Sequence, residues 1–120
     1  MAWIQIKIGA AAVSGALCAL LLALPAQAQT TAAAAQTACD SGQYAQALTL
    51  FVRASDQGDA LASERAGEML LLGPAFYGAQ VPQDFERAVR HLVRAAREGR
   101  PVAIAWLERI GYPPVWRQAD

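Results

Sequence analysis

The chain has 120 residues with ten basic and ten acidic side chains, so its formal net charge at pH 7 is zero. A balanced charge argues against general nucleic-acid binding, which requires a surplus of positive charge facing the phosphates. Apolar residues make up 55% of the sequence, and their distribution separates an N-terminal segment from one small domain.

The N-terminal segment, residues 1–28, has the pattern of a secretory signal peptide. Lys7 is the only lysine of the chain, and the stretch 8–24 is almost wholly apolar. The segment ends in Ala26-Gln27-Ala28, the small-x-small pattern at which a signal peptidase cuts. We predict cleavage after Ala28 and a periplasmic or secreted bacterial protein that starts at Gln29 and has no membrane span. An uncleaved anchor is the alternative, because the apolar run approaches the ~17 residues needed to cross a bilayer.

The next two segments of the chain are 29–41 and a predicted helix over 43–57. The alanine- and threonine-rich stretch 29–41 is either a flexible leader or a helix over 31–40, because alanine favours helix and Gly42 can end one. A clearer helix is predicted over 43–57, where apolar and small residues recur at i, i+3, i+4 and i+7. The residues expected to face the core are Tyr44, Ala47, Leu48, Phe51, Ala54 and Ser55.

A third helix is predicted to begin after Asp59, a favourable N-cap, and to end at Gly73-Pro74. Its inward residues are Ala62, Ala66, Met69 and Leu70. Gly67 lies within this helix at a cost of about 1 kcal/mol relative to alanine, which suggests a close approach of two helices. Glu64 and Glu68 share one face, which we interpret as solvated, although paired carboxylates can also perform acid/base chemistry.

The segment 73–83 is predicted to be the longest loop. Asp84 then caps a fourth helix that ends at Gly99. The residues of this helix expected to face the core are Phe85, Ala88, Val89, Leu92, Val93 and Ala96. A last helix is predicted over 101–110, because Pro101 suits a first helical position. In the C-terminal tail 112–120, the stretch 112–116 is expected to be extended because of its two prolines, with its aromatic side chains folded back over the last helix.

Similar residues also recur in the sequence at a fixed spacing, which indicates an internal repeat. Tyr44, Ala47, Leu48, Phe51, Arg53, Ala54 and Gly58 recur as Phe85, Ala88, Val89, Leu92, Arg94, Ala95 and Gly99. The glycines give the period, 99 − 58 = 41. Apolar residues that recur at helical spacing with this period indicate stacked helix pairs. We therefore predict an all-α fold for 42–111, a short α/α solenoid of about two helix pairs plus a terminal capping helix.

Two short patterns carry a resemblance to a known family. They are the turn Val81-Pro82-Gln83-Asp84 followed by Ala88, and the ending Ala95-Ala96-Arg97-Glu98-Gly99. Together with Gly58-Asp59-Ala60 and Ala66-Gly67, they make this region similar to one complete Sel-one-like repeat, a relative of the tetratricopeptide repeat. The chain departs from the family at 72–76, an apparent insertion, and at Gln80, where glycine is usual. The resemblance implies a right-handed superhelix that works as an adaptor, often in bacterial envelopes.

The sequence offers few residues for chemistry. His91 is the only histidine, so we predict no metal site and no cofactor, and we expect His91 to be solvated beside the arginines of its helix. Cys39 is the single cysteine left after signal cleavage, which excludes an internal disulfide. It is either a small buried hydrophobe or the site of a disulfide-linked dimer. A Cys39–His91 nucleophile and base would need a third, orienting group that the sequence does not supply.

Two surfaces are candidates for binding a partner. The first is a stripe of four arginines on the fourth helix, namely Arg87, Arg90, Arg94 and Arg97. Guanidinium groups bind carboxylates and phosphates bidentately, so the stripe could face an acidic protein, a polysaccharide or a lipid headgroup. A solvated face without a partner is the alternative. The second surface is apolar and consists of Phe76, Tyr77 and Trp116.

These observations favour a helical-repeat scaffold that mediates protein–protein interaction in the cell envelope, without chemistry of its own. A self-associating structural or stress protein is the first alternative. The second is an envelope hydrolase, because some secreted relatives of the resembled family are labelled as β-lactamases. The mature chain lacks the Ser-x-x-Lys motif of those enzymes, since its only lysine leaves with the signal.

Overall fold

The computed structural model describes residues 26–118, and every regular element in that part of the chain is helical. Helix α1 occupies 26–40. It is followed by α2 (Tyr44–Asp56), α3 (Ala60–Leu72), α4 (Pro74–Tyr77), α5 (Phe85–Arg97) and α6 (Pro101–Arg109), and by a 3-10 turn at Val115–Arg117. The all-α prediction is confirmed for these residues. The signal-peptide prediction falls mainly on 1–25, which lie outside the described residues.

The alanine- and threonine-rich stretch is helical, so the helix alternative holds for it. Helix α1 continues upstream of the predicted 31–40, because 26–30 are helical too. The helix therefore crosses the predicted cleavage point after Ala28, which is itself buried. Ala35 and Ala38 contribute to the hydrophobic core, which ties α1 to the rest of the domain.

The two predicted aspartate caps are present. Asp59 Oδ1 accepts a hydrogen bond from the backbone N–H of Ala62 at 2.8 Å, and Asp84 Oδ1 accepts one from Arg87 at 3.1 Å. Each bond satisfies a backbone donor in the first turn of its helix that has no partner within the helix. The starts of α3 and α5 are thus fixed by local sequence.

Helix α3 lies at the centre of the molecule and packs against α2, α5 and α6. Gly67 provides the close approach predicted from the sequence. A Cβ atom at this position would lie 2.7 Å from Cγ of Leu92 and 3.1 Å from the carbonyl oxygen of Ala88, both on α5. Only a glycine lets α3 and α5 come together at this distance.

The segment after α3 is more ordered than the predicted loop. Gly73 has a φ of 62°, and Pro74 starts the short helix α4 directly after it. Val81 is fully buried. The N–H of Asp84 donates to the carbonyl oxygen of Leu70, and Gln83 Nε2 donates to that of Leu71, both at 2.9 Å. The chain before α5 is therefore bound to the last turn of α3.

One predicted core residue and the conformation of the tail differ from the sequence predictions. Phe85 was expected to face inward, yet its side chain is 57% exposed, because it is the first residue of α5 and no other element covers it. The tail was expected to be extended, but Val115–Arg117 form a 3-10 turn that packs on α5. Trp116 is buried there, and its ring stacks on that of Tyr112 with centroids 6.2 Å apart.

The helix starts follow the sequence period. Tyr44 and Phe85 begin α2 and α5 (85 − 44 = 41), and Ala60 and Pro101 begin α3 and α6 (101 − 60 = 41). Within each pair the two helices contact one another. In the part of the chain that the structure describes, no helix is long and apolar enough to cross a membrane.

Candidate functional site

A shallow groove of ≈ 510 Å³ runs along the outer side of α5, and we call it the arginine groove. It is lined by Val89, Arg90, Val93, Arg94, Arg97, Glu98 and Tyr112. Three of the four arginines predicted from the sequence lie in it. Val89 is only 8% exposed and belongs to the core, so the apolar surface between the arginines comes mainly from the partly buried Val93 and Tyr112. Tyr112, which sequence analysis placed only in the tail, closes one side of the groove.

The arginines of the groove differ in what they contact. Arg90 pairs with Glu86 one turn earlier on α5, at 2.6 Å, and both side chains are exposed. Arg97 is exposed and has no ion-pair partner among residues 26–118. Arg87 is partly buried and does not line the groove. Exposed ion pairs are worth about 0–1 kcal/mol, so Arg90 can exchange its partner at little cost.

Arg94 is held at the end of a different helix. Its Nη1 donates to the carbonyl oxygen of Ser55 at 3.1 Å and to Ser55 Oγ at 2.9 Å, and it lies 3.3 Å from Asp56 Oδ1. Ser55 and Asp56 form the last turn of α2. Arg94 therefore binds the negative end of the α2 dipole as well as lining the groove.

The three residues of the predicted apolar surface do not form one surface. Phe76 is 68% exposed, whereas Trp116 is 4% exposed, so Trp116 is not part of an exposed apolar surface. Tyr77 is partly buried, and its ring meets that of Tyr44 edge-on with centroids 5.3 Å apart. A second shallow groove, of ≈ 500 Å³, lies beside these two tyrosines and is lined mainly by uncharged residues.

His91 belongs to a buried polar cluster, which corrects its prediction as a solvated residue. The cluster consists of Ser55, Ser63, His91 and the guanidinium of Arg94. Ser55 Oγ lies 2.7 Å from Ser63 Oγ and 3.0 Å from His91 Nδ1. His91 is only 8% exposed. Burial lowers the pKa of His91 below its usual value, and the positive charge of Arg94 lowers it further.

One arrangement of protons satisfies every hydrogen bond in this polar cluster. Ser63 donates to the carbonyl oxygen of Asp59 at 3.1 Å, so Ser55 donates to Ser63. Ser55 Oγ then accepts from Arg94 and from His91, whose Nδ1 carries the proton. A hydroxyl has one proton to give and two lone pairs, and all three are used in this arrangement.

The polar cluster holds helices together and does not present a nucleophile. Ser55 is 1% exposed and Ser63 is fully buried, so neither hydroxyl is accessible to a substrate. Cys39 lies elsewhere: it is a partly buried free thiol whose pKa is raised by burial and by Asp40. The structure therefore does not join it to His91.

Glu64 was expected on a solvated face, yet its side chain is only 3% exposed. Its Oε1 accepts from Arg100 Nη2 at 3.0 Å, and its Oε2 accepts from the backbone N–H of Ala103 at 3.1 Å. Ala103 lies in the first turn of α6, whose N-cap residue, Arg100, makes no side-chain cap bond. Glu64 thus caps α6 from α3 and does not pair with Glu68 for acid/base chemistry.

Residues 26–118 contain no group of three or more histidine, cysteine or carboxylate side chains placed to hold a metal ion. No family model, curated protein or solved structure matches the chain.

Proposed function

We propose that this chain is a Sel-one-like helical-repeat scaffold of the bacterial cell envelope, which binds an acidic protein partner in the arginine groove and has no enzymatic chemistry of its own. The observation that carries the proposal is the groove itself. Arg90, Arg94 and Arg97 lie beside Val93 and Tyr112, which are partly exposed, so a partner would meet positive charge and apolar surface together. Such a combination is typical of a protein-binding face.

The helix pairs support the repeat part of the proposal. Helices α2 and α3 are followed after 41 residues by α5 and α6, and each pair is in contact. A repeat array of this kind buries its core between neighbouring helices and leaves an outer helix face free for a partner. This arrangement agrees with a short α/α solenoid in which α6 and the tail close the end.

The envelope location rests on the sequence pattern of 1–28 and has a direct test. Mass spectrometry of the protein recovered from the periplasm or medium should give Gln29 as its first residue. Because α1 crosses this point, the mature helix is expected to begin within about one turn of the cut. Recovery of the intact chain in the membrane fraction would contradict cleavage and favour the anchor alternative.

The binding face is tested by capture of partners from an envelope extract under mild crosslinking. The double variant Arg90→Glu, Arg97→Glu reverses the groove charge at two exposed residues that hold no other helix. The matched control is Arg53→Glu, Arg109→Glu, which makes the same charge change at exposed arginines outside the groove. We expect the groove variant to lose the partner and the control to keep it, with similar melting temperatures for both.

The same experiment distinguishes the alternatives. Loss of capture as salt rises is expected for the arginine groove, because exposed charges are screened over about 8 Å at physiological ionic strength. Capture that survives both charge reversal and salt would overturn the proposal. Recovery of only a second copy of this chain, or of a dimer that reducing agent separates at Cys39, would favour the self-associating alternative.

A further inference from the structure

The contact between α2 and α5 shows how one repeat meets the next. On the α5 side, His91 bonds to Ser55 and Arg94 lies 3.3 Å from Asp56. A shift of 41 residues moves Ser55 and Asp56 onto Ala96 and Arg97 of α5. A further helix stacked in the same manner would therefore lie beside Arg97. Arg97 of the second repeat thus corresponds to Asp56 of the first, so a basic residue replaces an acidic one at this position.

In residues 26–118, no helix occupies that position. The 3-10 turn Val115–Arg117 also packs against α5, and Trp116 is buried in this contact region. Tyr112 stacks on Trp116 and forms one wall of the arginine groove. The turn is only three residues long, so the rest of this face of α5 remains open as the groove.

We propose that the occupant of the arginine groove is an acidic amphipathic helix of the partner, which lies along α5 as the next helix of the array would. The proposal rests on the proposed function and specifies the structure of the partner segment. Carboxylates spaced i, i+4 and i+7 on that helix face Arg90, Arg94 and Arg97. Apolar side chains on the same face contact Val93 and Tyr112, which are partly exposed.

The spacing of the arginines favours a helix over an extended peptide. The backbone positions of Arg90, Arg94 and Arg97 are separated along the α5 axis by about 6 Å and then about 4.5 Å, from four and three residues at 1.5 Å each. Residues at i, i+4 and i+7 of a second helix have the same two axial separations. Residues on one face of a strand recur every ~6.6 Å, which is close to the 90–94 separation but not to the 94–97 separation. An extended peptide also has no strand edge to pair with among the described residues.

The charge of the groove favours an acidic occupant. Arg90 pairs with Glu86 and Arg94 with Asp56, so Arg97 is the arginine of the groove that has no ion-pair partner among residues 26–118. The contacts of Arg90 with Glu86 and of Arg94 with Asp56 involve exposed side chains. Each arginine also has five donors, so it can accept a second carboxylate without giving up the first.

The test uses the mature protein and a synthetic peptide of about 18 residues, long enough to form a helix. The peptide carries glutamates at i, i+4 and i+7 and leucines on the same face. The control peptide has the same composition with the glutamates placed around the whole helix. We expect the patterned peptide to bind at least about tenfold more tightly in fluorescence anisotropy, and to gain helix on binding in circular dichroism.

The protein variants complete the test. Arg90→Glu, Arg97→Glu should abolish the preference for the patterned peptide, and Arg53→Glu, Arg109→Glu should preserve it. Equal binding of the two peptides, or binding without a gain of helix, would overturn the inference. So would binding of a sulfated polysaccharide or of anionic lipid vesicles in place of the patterned peptide. If capture from the envelope extract still depended on Arg90 and Arg97, the proposed function would stand and only the helical partner would be wrong.

Discussion

Arg94 and Glu64 each bind the end of a helix other than their own. Arg94 contacts the last turn of α2, where the helix dipole is negative, and Glu64 contacts the first turn of α6, where it is positive. Glu64 supplies an acceptor at the start of α6, which has no side-chain cap of its own, and Arg94 supplies a donor at the C-terminal end of α2. Tertiary contacts of single residues therefore do the work of caps in this domain.

Replacing Glu64 by glutamine should destabilise the fold. Glu64→Gln keeps the shape of the side chain but removes the charge that faces Arg100 and the first turn of α6. The expected loss is about 1–3 kcal/mol in the free energy of unfolding, measured by urea denaturation. The matched control is Glu108→Gln, since Glu108 pairs with Arg117 between two exposed side chains and should cost at most about 1 kcal/mol. Equal losses for both variants would contradict a special role for Glu64.

His91 should make the domain less stable in acid. The pKa of His91 is lowered in the folded state, so the unfolded chain takes up its proton first as pH falls. Neutral His91 makes its full contribution to the free energy of unfolding above about pH 6.5, the pKa of histidine in an unfolded chain. This contribution is lost as pH falls toward the lower pKa of His91 in the folded state. Asp56 on α2 raises the pKa of His91, while Arg94, Arg87 and Arg90 on α5 lower it further.

The measurement for His91 is the free energy of unfolding from pH 8 to pH 5, compared with His91→Gln, which does not titrate. The stability of the parent should fall relative to the variant below about pH 6.5. A difference between the two proteins that stays constant, or that moves the other way, would show that His91 is not held in its neutral form.

At the scale of helices, the sequence predicted most of the architecture because its signals are local. Helical periodicity and the Asp59 and Asp84 caps located α2, α3 and α5 to within a residue or two. Gly67 predicted the close approach of α3 and α5. These features depend on residues within one or two turns of each other, which a single sequence displays directly.

The contacts that the sequence did not predict join residues far apart in the chain. Glu64 meets Arg100 and Ser55 meets His91, each across 36 residues. Periodicity predicted solvated faces for Glu64 and His91, but it could not show that other helices bury both side chains. Trp116 was misplaced for the same reason, since its burial depends on how the tail returns to α5.

The close approach of α3 and α5 gives the helix scale its own prediction. Gly67→Ala would usually stabilise a helix interior by about 1 kcal/mol. Here the new methyl group would lie 2.7 Å from Leu92, so we expect a net loss of about 1–3 kcal/mol from overpacking. Chemical denaturation measures both Gly67→Ala and the double variant with Leu92→Ala, which makes room for the methyl group. The two changes together should cost less than the sum of each alone, and simple additivity would contradict the contact.

At the scale of the whole molecule, α5 is bound to α2 and also carries the arginine groove. His91 and Arg94 connect α5 to α2, and Arg94 lines the adjoining groove together with Tyr112 of the tail. The tail buries Trp116 and so protects the core, but it leaves the charged face free. This is the face on which the proposed partner helix would lie.

The most direct test of partner binding in the arginine groove is site-specific photocrosslinking in intact cells. A photoreactive amino acid in place of Val93 lies in the floor of the groove, and the same group in place of the exposed Leu61 lies on α3, outside the groove. We predict that position 93, and not position 61, forms an adduct with a foreign envelope protein, and that adding Arg90→Glu and Arg97→Glu removes the adduct. Adducts of equal yield at both positions, or an adduct at 93 that survives the charge reversal, would contradict binding in the groove.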